Sequence, residues 1–125
     1  MIPKRILIVE DSPTVIQQMK LMLSEYDIKI STAGSEFGML QHIEEYGKLV
    51  DLIIMDLSLK SENGLDLIDN LRKNLRFSTI PIIVVTEHAE KDFILRAKGL
   101  NVAEYIRKPF TKDTLISRIS NVIEI

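Results

Sequence analysis

Short apolar runs alternate along the chain with longer segments in which apolar residues recur at helical spacing. The runs 6–9, 52–55 and 82–85 are wholly apolar, which is typical of strands that are buried on both faces of a parallel sheet. Residues 28–32 and 104–107 are more polar and complete a set of five predicted strands. Five strands that alternate with five helices predict right-handed crossovers and a three-layer, doubly wound α/β sandwich.

Five amphipathic segments predict the helices between these strands. The first begins at Ser12 and Pro13, because serine suits the N-cap and proline the first turn, and we expect it to end at 26–27. The third follows the polar loop 58–64, and a weaker fourth helix is predicted over 89–99. The predicted apolar faces comprise Val15, Met19, Met22 and Leu23 in the first helix, Phe37, Leu40 and Ile43 in the second, Leu65, Ile68, Leu71 and Leu75 in the third, and Leu115, Ile119 and Val122 in the last.

The composition fits a single domain over residues 1–125 with a core of its own. The 16 basic and 18 acidic residues give a net charge of -2, which favours neither direct nucleic-acid binding nor an acidic tail. There is no cysteine, so disulfides, thiolate metal sites and cysteine nucleophiles are excluded. Because the chain contains neither a signal-peptide core nor an apolar run that could span a bilayer, we expect a cytoplasmic protein without membrane contact.

Charged side chains follow three of the predicted strands. Glu10 and Asp11 come after the first strand and Asp56 after the third, while Lys108 follows the fifth and precedes Pro109. Ligands bind at the carboxyl ends of the strands in open α/β sheets, so these residues predict one common site. Carboxylates with a cation nearby suit Mg²⁺ and a phosphoryl group.

Five segments resemble the motifs of response regulator receiver domains, in the family's order and spacing and over essentially the whole chain. They are Ile8-Val9-Glu10-Asp11-Ser12, Leu52-Ile53-Ile54-Met55-Asp56, Asn63-Gly64, Val84-Val85-Thr86 and Tyr105-Ile106-Arg107-Lys108-Pro109-Phe110. The resemblance implies a flavodoxin-like (βα)5 fold with strand order 2-1-3-4-5, for which a receiver protein is a standard example. It also implies a phosphoprotein of two-component signal transduction. Such a domain is not a conventional enzyme, since it catalyses only its own phosphotransfer and slow autodephosphorylation.

The resemblance assigns the acidic residues to phosphoryl transfer. Asp56 would accept a phosphoryl group, Asp11 would bind Mg²⁺ directly, Glu10 would bind it through water, and the backbone carbonyl of Ser58 would add a ligand. Strand order 2-1-3-4-5 makes the first and third strands neighbours, which crowds Asp11 against Asp56. Like charges this close repel unless a cation lies between them.

The resemblance also gives roles to residues at the fourth and fifth strands. Lys108 would place its ammonium on a phosphoryl oxygen, and the cis peptide implied before Pro109 would orient it. Thr86 would offer its hydroxyl to the phosphoryl group after transfer. Tyr105 matches the aromatic residue whose inward or outward position accompanies activation, so Thr86 and Tyr105 would form the switch.

Four positions depart from the family pattern. Lys60 replaces the usual proline, which leaves the loop less restrained and places a second cation near the site. Asn63 replaces the usual aspartate before the loop glycine, and Asn63-Gly64 still predicts a turn. Glu87 follows Thr86 where a small residue is usual; we hypothesise that it repels anionic phosphodonors, the alternative being a first-turn helix acid. Asn101 replaces a glycine before the fifth strand, and asparagine tolerates the left-handed conformation.

Two other classes of function remain open. A haloacid-dehalogenase-type phosphatase also uses an aspartate after a strand as its phosphoryl acceptor, but it has a second aspartate two residues on, where Ser58 stands here. A receiver-like interaction module would bind partners without being phosphorylated, and we expect such a module to lack the acceptor, the acid pair or the lysine.

The implied partners are a sensor histidine kinase or phosphotransfer protein, and an output domain or target that the sequence does not identify. A dimer through helix 4, strand 5 and helix 5 is a further hypothesis. The basic residues of that region are Arg96, Lys98, Arg107, Lys112 and Arg118, and a solvated face explains them equally well. His42 and His88 lack metal-ligand spacing, which predicts surface positions.

Overall fold

The computed structural model describes residues 2–60, 62–88 and 90–125, and it contains one parallel sheet of five strands. The strands are β1 (Lys4–Val9), β2 (Ile28–Ala33), β3 (Leu52–Asp56), β4 (Ile82–Thr86) and β5 (Glu104–Arg107). The helices are α1 (Pro13–Met22), α2 (Glu36–Tyr46), α3 (Gly64–Lys73), α4 (Lys91–Gly99) and α5 (Lys112–Ser120), and a short 3-10 helix (Gly47–Leu49) follows α2. The order β2-β1-β3-β4-β5 confirms the predicted topology.

Alternate side chains of the strands supply two apolar layers, one on each face of the sheet. Leu7 and Val9 of β1 belong to the layer that α2, α3 and α4 cover. Ile6 and Ile8 belong to the layer that α1 and α5 cover. Because β1, β3 and β4 are buried on both faces, the central strands are held rigidly and their carboxyl ends have fixed positions.

Two of the predicted apolar faces are wrong in part. On α2 the buried side chains are Met39 and Ile43, whereas Phe37 is 75% exposed and Leu40 is 41% exposed. This helix has two apolar stripes, and spacing alone cannot show which one faces the sheet. Leu75 is 92% exposed, because α3 ends at Lys73 and the chain turns before it.

Two predicted helix boundaries also differ from the structure. The first helix ends at Met22, about one turn before the predicted end, where the Ser24 hydroxyl and amide both bond to the carbonyl of Leu21. A serine that bonds to the backbone competes with helix continuation. The predicted start of the fourth helix at residue 89 lies outside the described residues, and α4 begins at Lys91. Asn101 has φ 59°, in the left-handed region that its side chain tolerates.

Candidate functional site

The ends of three central strands bring the predicted acidic residues together. Val9 pairs with Met55 across β1 and β3, so the next residues along the two strands, Glu10 and Asp56, are neighbours. Glu10 is held by a 2.9 Å hydrogen bond from its amide to the carbonyl of Ala33 at the end of β2. Asp56 is the last residue of β3, so the strand extends one residue beyond the end that the apolar run 52–55 indicated.

The three carboxylates form one cluster. Glu10, Asp11 and Asp56 each contribute an oxygen, and these atoms lie within 4.8 Å of one another. Glu10 is 1% exposed and Asp56 is 3% exposed, whereas Asp11 is half-buried. The crowding predicted from strand order is therefore present, with Glu10 as the most deeply buried member.

Lys108 provides the cation of the site. Its Nζ lies 3.3 Å from Glu10 Oε1 and 3.4 Å from Asp56 Oδ1. Its amide donates a 2.7 Å hydrogen bond to the carbonyl of Thr86, which continues the β4–β5 ladder by one residue. This bond holds the backbone from which the Lys108 side chain extends. The Lys108–Pro109 peptide is cis, as the resemblance implied.

One ammonium does not neutralise the cluster. Burial, and then the neighbouring Asp56, raise the pKa of Glu10 to about 8, although Lys108 acts in the opposite direction. Glu10 Oε2 is buried and has no hydrogen-bond partner in the described part of the chain. A buried oxygen without a partner, within a cluster of carboxylates, fits a hard divalent cation such as Mg²⁺. The acidic cluster could therefore hold a metal ion.

Backbone amides of the loop after β3 close one side of the cluster. Ser58 donates its amide to Asp56 Oδ1 at 3.0 Å, and Lys60 donates its amide to Asp11 Oδ2 at 2.8 Å. The hydrogen bond from Lys60 was not predicted, because a backbone donor has no signal in the residue type. Ser58 is exposed, and the metal-ligand role of its carbonyl stays a prediction.

Asn63 and Gly64 begin a helix rather than form the simple turn that their sequence suggests. Asn63 is the N-cap of α3, and its side chain accepts a 2.9 Å hydrogen bond from the amide of Leu65. A Cβ at Gly64 would lie 2.7 Å from the Cα of Leu57 and 2.8 Å from the carbonyl oxygen of Asp56. Glycine therefore allows α3 to begin directly against the end of the strand that positions Asp56.

A residue without a predicted role links Thr86 to Tyr105. The buried Thr86 Oγ1 accepts the amide of His88 at 3.1 Å, and the Tyr105 hydroxyl donates to the carbonyl of His88 at 2.7 Å. The His88 ring stacks on Phe93, with centroids 4.5 Å apart. His42 is half-buried beside Tyr46, so neither histidine lies in a fully exposed position.

Comparison with known proteins assigns the family. A family model described as the response regulator receiver domain matches residues 6–120. The chain belongs to this family. Receiver domains are signalling domains of two-component systems, so the predicted family and functional class are confirmed. In the described residues, no helix has the length and hydropathy of a transmembrane segment.

Curated relatives of this receiver domain are longer proteins. The cell cycle response regulator CtrA of Brucella ovis is 31% identical over 121 residues, which cover 95% of this chain and 50% of CtrA. The hybrid signal transduction histidine kinase D of Dictyostelium discoideum is 27% identical over 119 residues, which cover 94% of this chain and 7% of the kinase. The chain thus spans half or less of the length of these relatives.

Solved structures show the same fold. A putative response regulator from Chloroflexus aurantiacus is 28% identical, with a TM-score of 0.86 and coverage of 97% of this chain and 98% of that one. A response regulator receiver domain protein from Clostridium thermocellum is also 28% identical, with a TM-score of 0.85 and coverage of 96% and 94%. The five-stranded receiver fold is therefore shared over nearly the whole chain.

Proposed function

We propose that Asp56 is the phosphoacceptor of this receiver domain. The observation that supports this role is the position of its carboxylate, which is buried at a strand end 3.4 Å from the ammonium of Lys108 and beside two further carboxylates. The ammonium can neutralise a phosphoryl oxygen that arrives next to Asp56. Burial and the neighbouring Asp56 also raise the pKa of Glu10, and such perturbed groups cluster at functional sites.

Phosphoryl transfer requires mainly positioning and charge neutralisation from the protein. An oxygen of Asp56 forms the new bond to phosphorus while the P–N bond of a phosphohistidine breaks, and the electron pair of that bond stays on the imidazole nitrogen. Mg²⁺ bound by Asp11, Asp56, the carbonyl of Ser58 and, through water, Glu10 would supply charge neutralisation. The donor of this reaction is a sensor histidine kinase or a phosphotransfer protein.

The switch is proposed to begin at Thr86. Its hydroxyl accepts the amide of His88, and it must give up that bond to turn towards a phosphoryl group on Asp56. His88 also accepts the hydroxyl of Tyr105, so the change reaches β5 and the start of α4. A change on the face formed by α4, β5 and α5 would then alter binding to an output domain, a target or a second copy.

Phosphorylation by acetyl phosphate tests the role of Asp56. With Mg²⁺, the protein should gain one acid-stable, base-labile phosphoryl group, and Asp56→Asn should abolish the gain because an amide is a poor nucleophile. Asp69→Asn, at an aspartate on α3, is the matched control and should react like the wild type. A non-phosphorylated interaction module would show no gain, and a phosphatase would release many equivalents of phosphate. Either result would contradict the proposal.

A further inference from the structure

A cleft of about 610 Å³ opens beside Lys108, between α1 and the segment that joins β5 to α5. Most of its lining is apolar or uncharged: Val15, Gln18, Met22, Pro109 and Phe110. Besides Lys108, two charged side chains line it, Glu87 and Arg107. Since Lys108 lines this cleft and its ammonium lies 3.4 Å from Asp56 Oδ1, the cleft lies next to the acceptor.

Glu87 presents an unpaired charge to this cleft. Its side chain is exposed and has no hydrogen bond or ion pair with any residue that the structure describes. It lies three residues before Glu90, the N-cap of α4, and is therefore outside the first turn of that helix. The alternative that Glu87 is a first-turn helix acid does not fit this position. Its negative charge therefore acts on any charged molecule that enters the cleft.

We infer that Glu87 is a specificity-determining residue that disfavours small anionic phosphodonors relative to a protein donor. This inference rests on the proposed function of Asp56. A small donor brings only its own negative charge past Glu87, whereas a protein donor can offset Glu87 with a cationic side chain. Small metabolites would then phosphorylate the domain more slowly than they would without the carboxylate, whereas its protein partner would not be slowed.

The charge of the donor gives this effect a quantitative test. Near neutral pH, acetyl phosphate is a dianion and phosphoramidate is a monoanion. Repulsion by one carboxylate is proportional to the donor charge, so the logarithm of the rate effect should be twice as large for acetyl phosphate. At low ionic strength we expect Glu87→Gln to raise the rate about two-fold with phosphoramidate and about four-fold with acetyl phosphate.

Both donors react with Asp56 in the same way. An oxygen of Asp56 forms a bond to phosphorus in each case. With acetyl phosphate the P–O bond breaks and acetate leaves with its electron pair. With phosphoramidate the P–N bond breaks and ammonia leaves, since its nitrogen is already protonated. Neither reaction needs a proton from the cleft, so the two donors differ chiefly in charge.

The experiment uses the full chain with Mg²⁺ and measures phosphorylation rates across a salt series. Glu87→Gln removes the charge and keeps the size, and its rate gain should shrink as salt screens the charge. Arg107→Gln removes the opposite charge from the same cleft and should slow acetyl phosphate more than phosphoramidate. Glu124→Gln, at an exposed position beyond α5 that does not line this cleft, changes the net charge equally and should have no effect.

Each outcome decides the inference. Equal rates for Glu87→Gln and wild type, or equal acceleration with both donors, would overturn a role for charge. Acceleration by Glu87→Ala but not by Glu87→Gln would assign the effect to side-chain bulk and would also overturn it. The Mg²⁺ affinity, measured by titration without a donor, should be unchanged in Glu87→Gln. If neither donor phosphorylates the wild type, the proposed function of Asp56 fails instead.

Discussion

Glu10→Gln should change how the stability of this domain depends on pH when Mg²⁺ is absent. Burial and the neighbouring Asp56 raise the pKa of Glu10 from 4.5 to about 8. Between these two values the folded protein keeps a proton that the unfolded chain has released. The contribution of this proton to stability is complete below pH 4.5 and is lost as the pH rises through about 8, so the free energy of unfolding falls over this interval.

The expected size of the effect follows from the same pKa. Each tenfold change in proton affinity is worth about 1.4 kcal/mol, so the loss between the two pKa values is at most about 5 kcal/mol. Glutamine cannot ionise and removes this loss. The substitution also weakens the 3.3 Å contact between Glu10 and Lys108, which costs about 1–2 kcal/mol.

Urea denaturation of both proteins across this pH range is the assay. In a chelating buffer the wild type should lose stability relative to Glu10→Gln as the pH rises. Millimolar Mg²⁺ should reverse that trend in the wild type, because metal binding requires deprotonated carboxylates and stabilises only the folded form. Parallel pH profiles of the two proteins in the chelating buffer would refute the argument that burial and Asp56 raise the pKa of Glu10.

Four further substitutions test other parts of the site. Asp11→Asn should slow phosphorylation, and high Mg²⁺ should partly restore the rate. Lys108→Ala should also slow phosphorylation, but Mg²⁺ should not restore the rate. Equal restoration of both variants in a metal titration would contradict the metal-binding role of Asp11 and the charge-neutralising role of Lys108. Gly64→Ala should lower the free energy of unfolding by about 1–3 kcal/mol, because its Cβ meets backbone atoms at the end of β3; unchanged urea denaturation would contradict the close approach. Tyr105→Phe should cost about 1 kcal/mol and speed hydrogen exchange near His88, whose carbonyl loses its donor; unchanged exchange would exclude that link.

The strands and the acidic cluster could be predicted from the sequence because their physics is local and repetitive. Strands such as β3 are buried on both faces, so the side chains from Leu52 to Met55 are all apolar and the pattern is unambiguous. Parallel strands end at one edge of the sheet, which places Glu10 near Asp56 once β1 and β3 are neighbours. The neighbour relation itself came from the family resemblance, since periodicity does not give strand order.

Features that depend on tertiary contacts could not be predicted. Phe37 and Met39 are both apolar and lie on α2, and only docking against the sheet decides that Met39 is buried. The role of Gly64 depends on the distance between α3 and the backbone of Leu57, which no local pattern encodes. His88 links Thr86 to Tyr105 through its backbone amide and its backbone carbonyl. Its residue type therefore carries no signal of this link.

Chemical mapping of the phosphorylated residue tests the central claim most directly. Borohydride reduces an aspartyl phosphate to homoserine, and tandem mass spectrometry then identifies the modified position. After incubation with acetyl phosphate and Mg²⁺, we expect homoserine at residue 56 alone, and none when the donor or the metal is omitted. Homoserine at residue 11, or an unmodified Asp56 in a protein that has gained a phosphoryl group, would contradict the account.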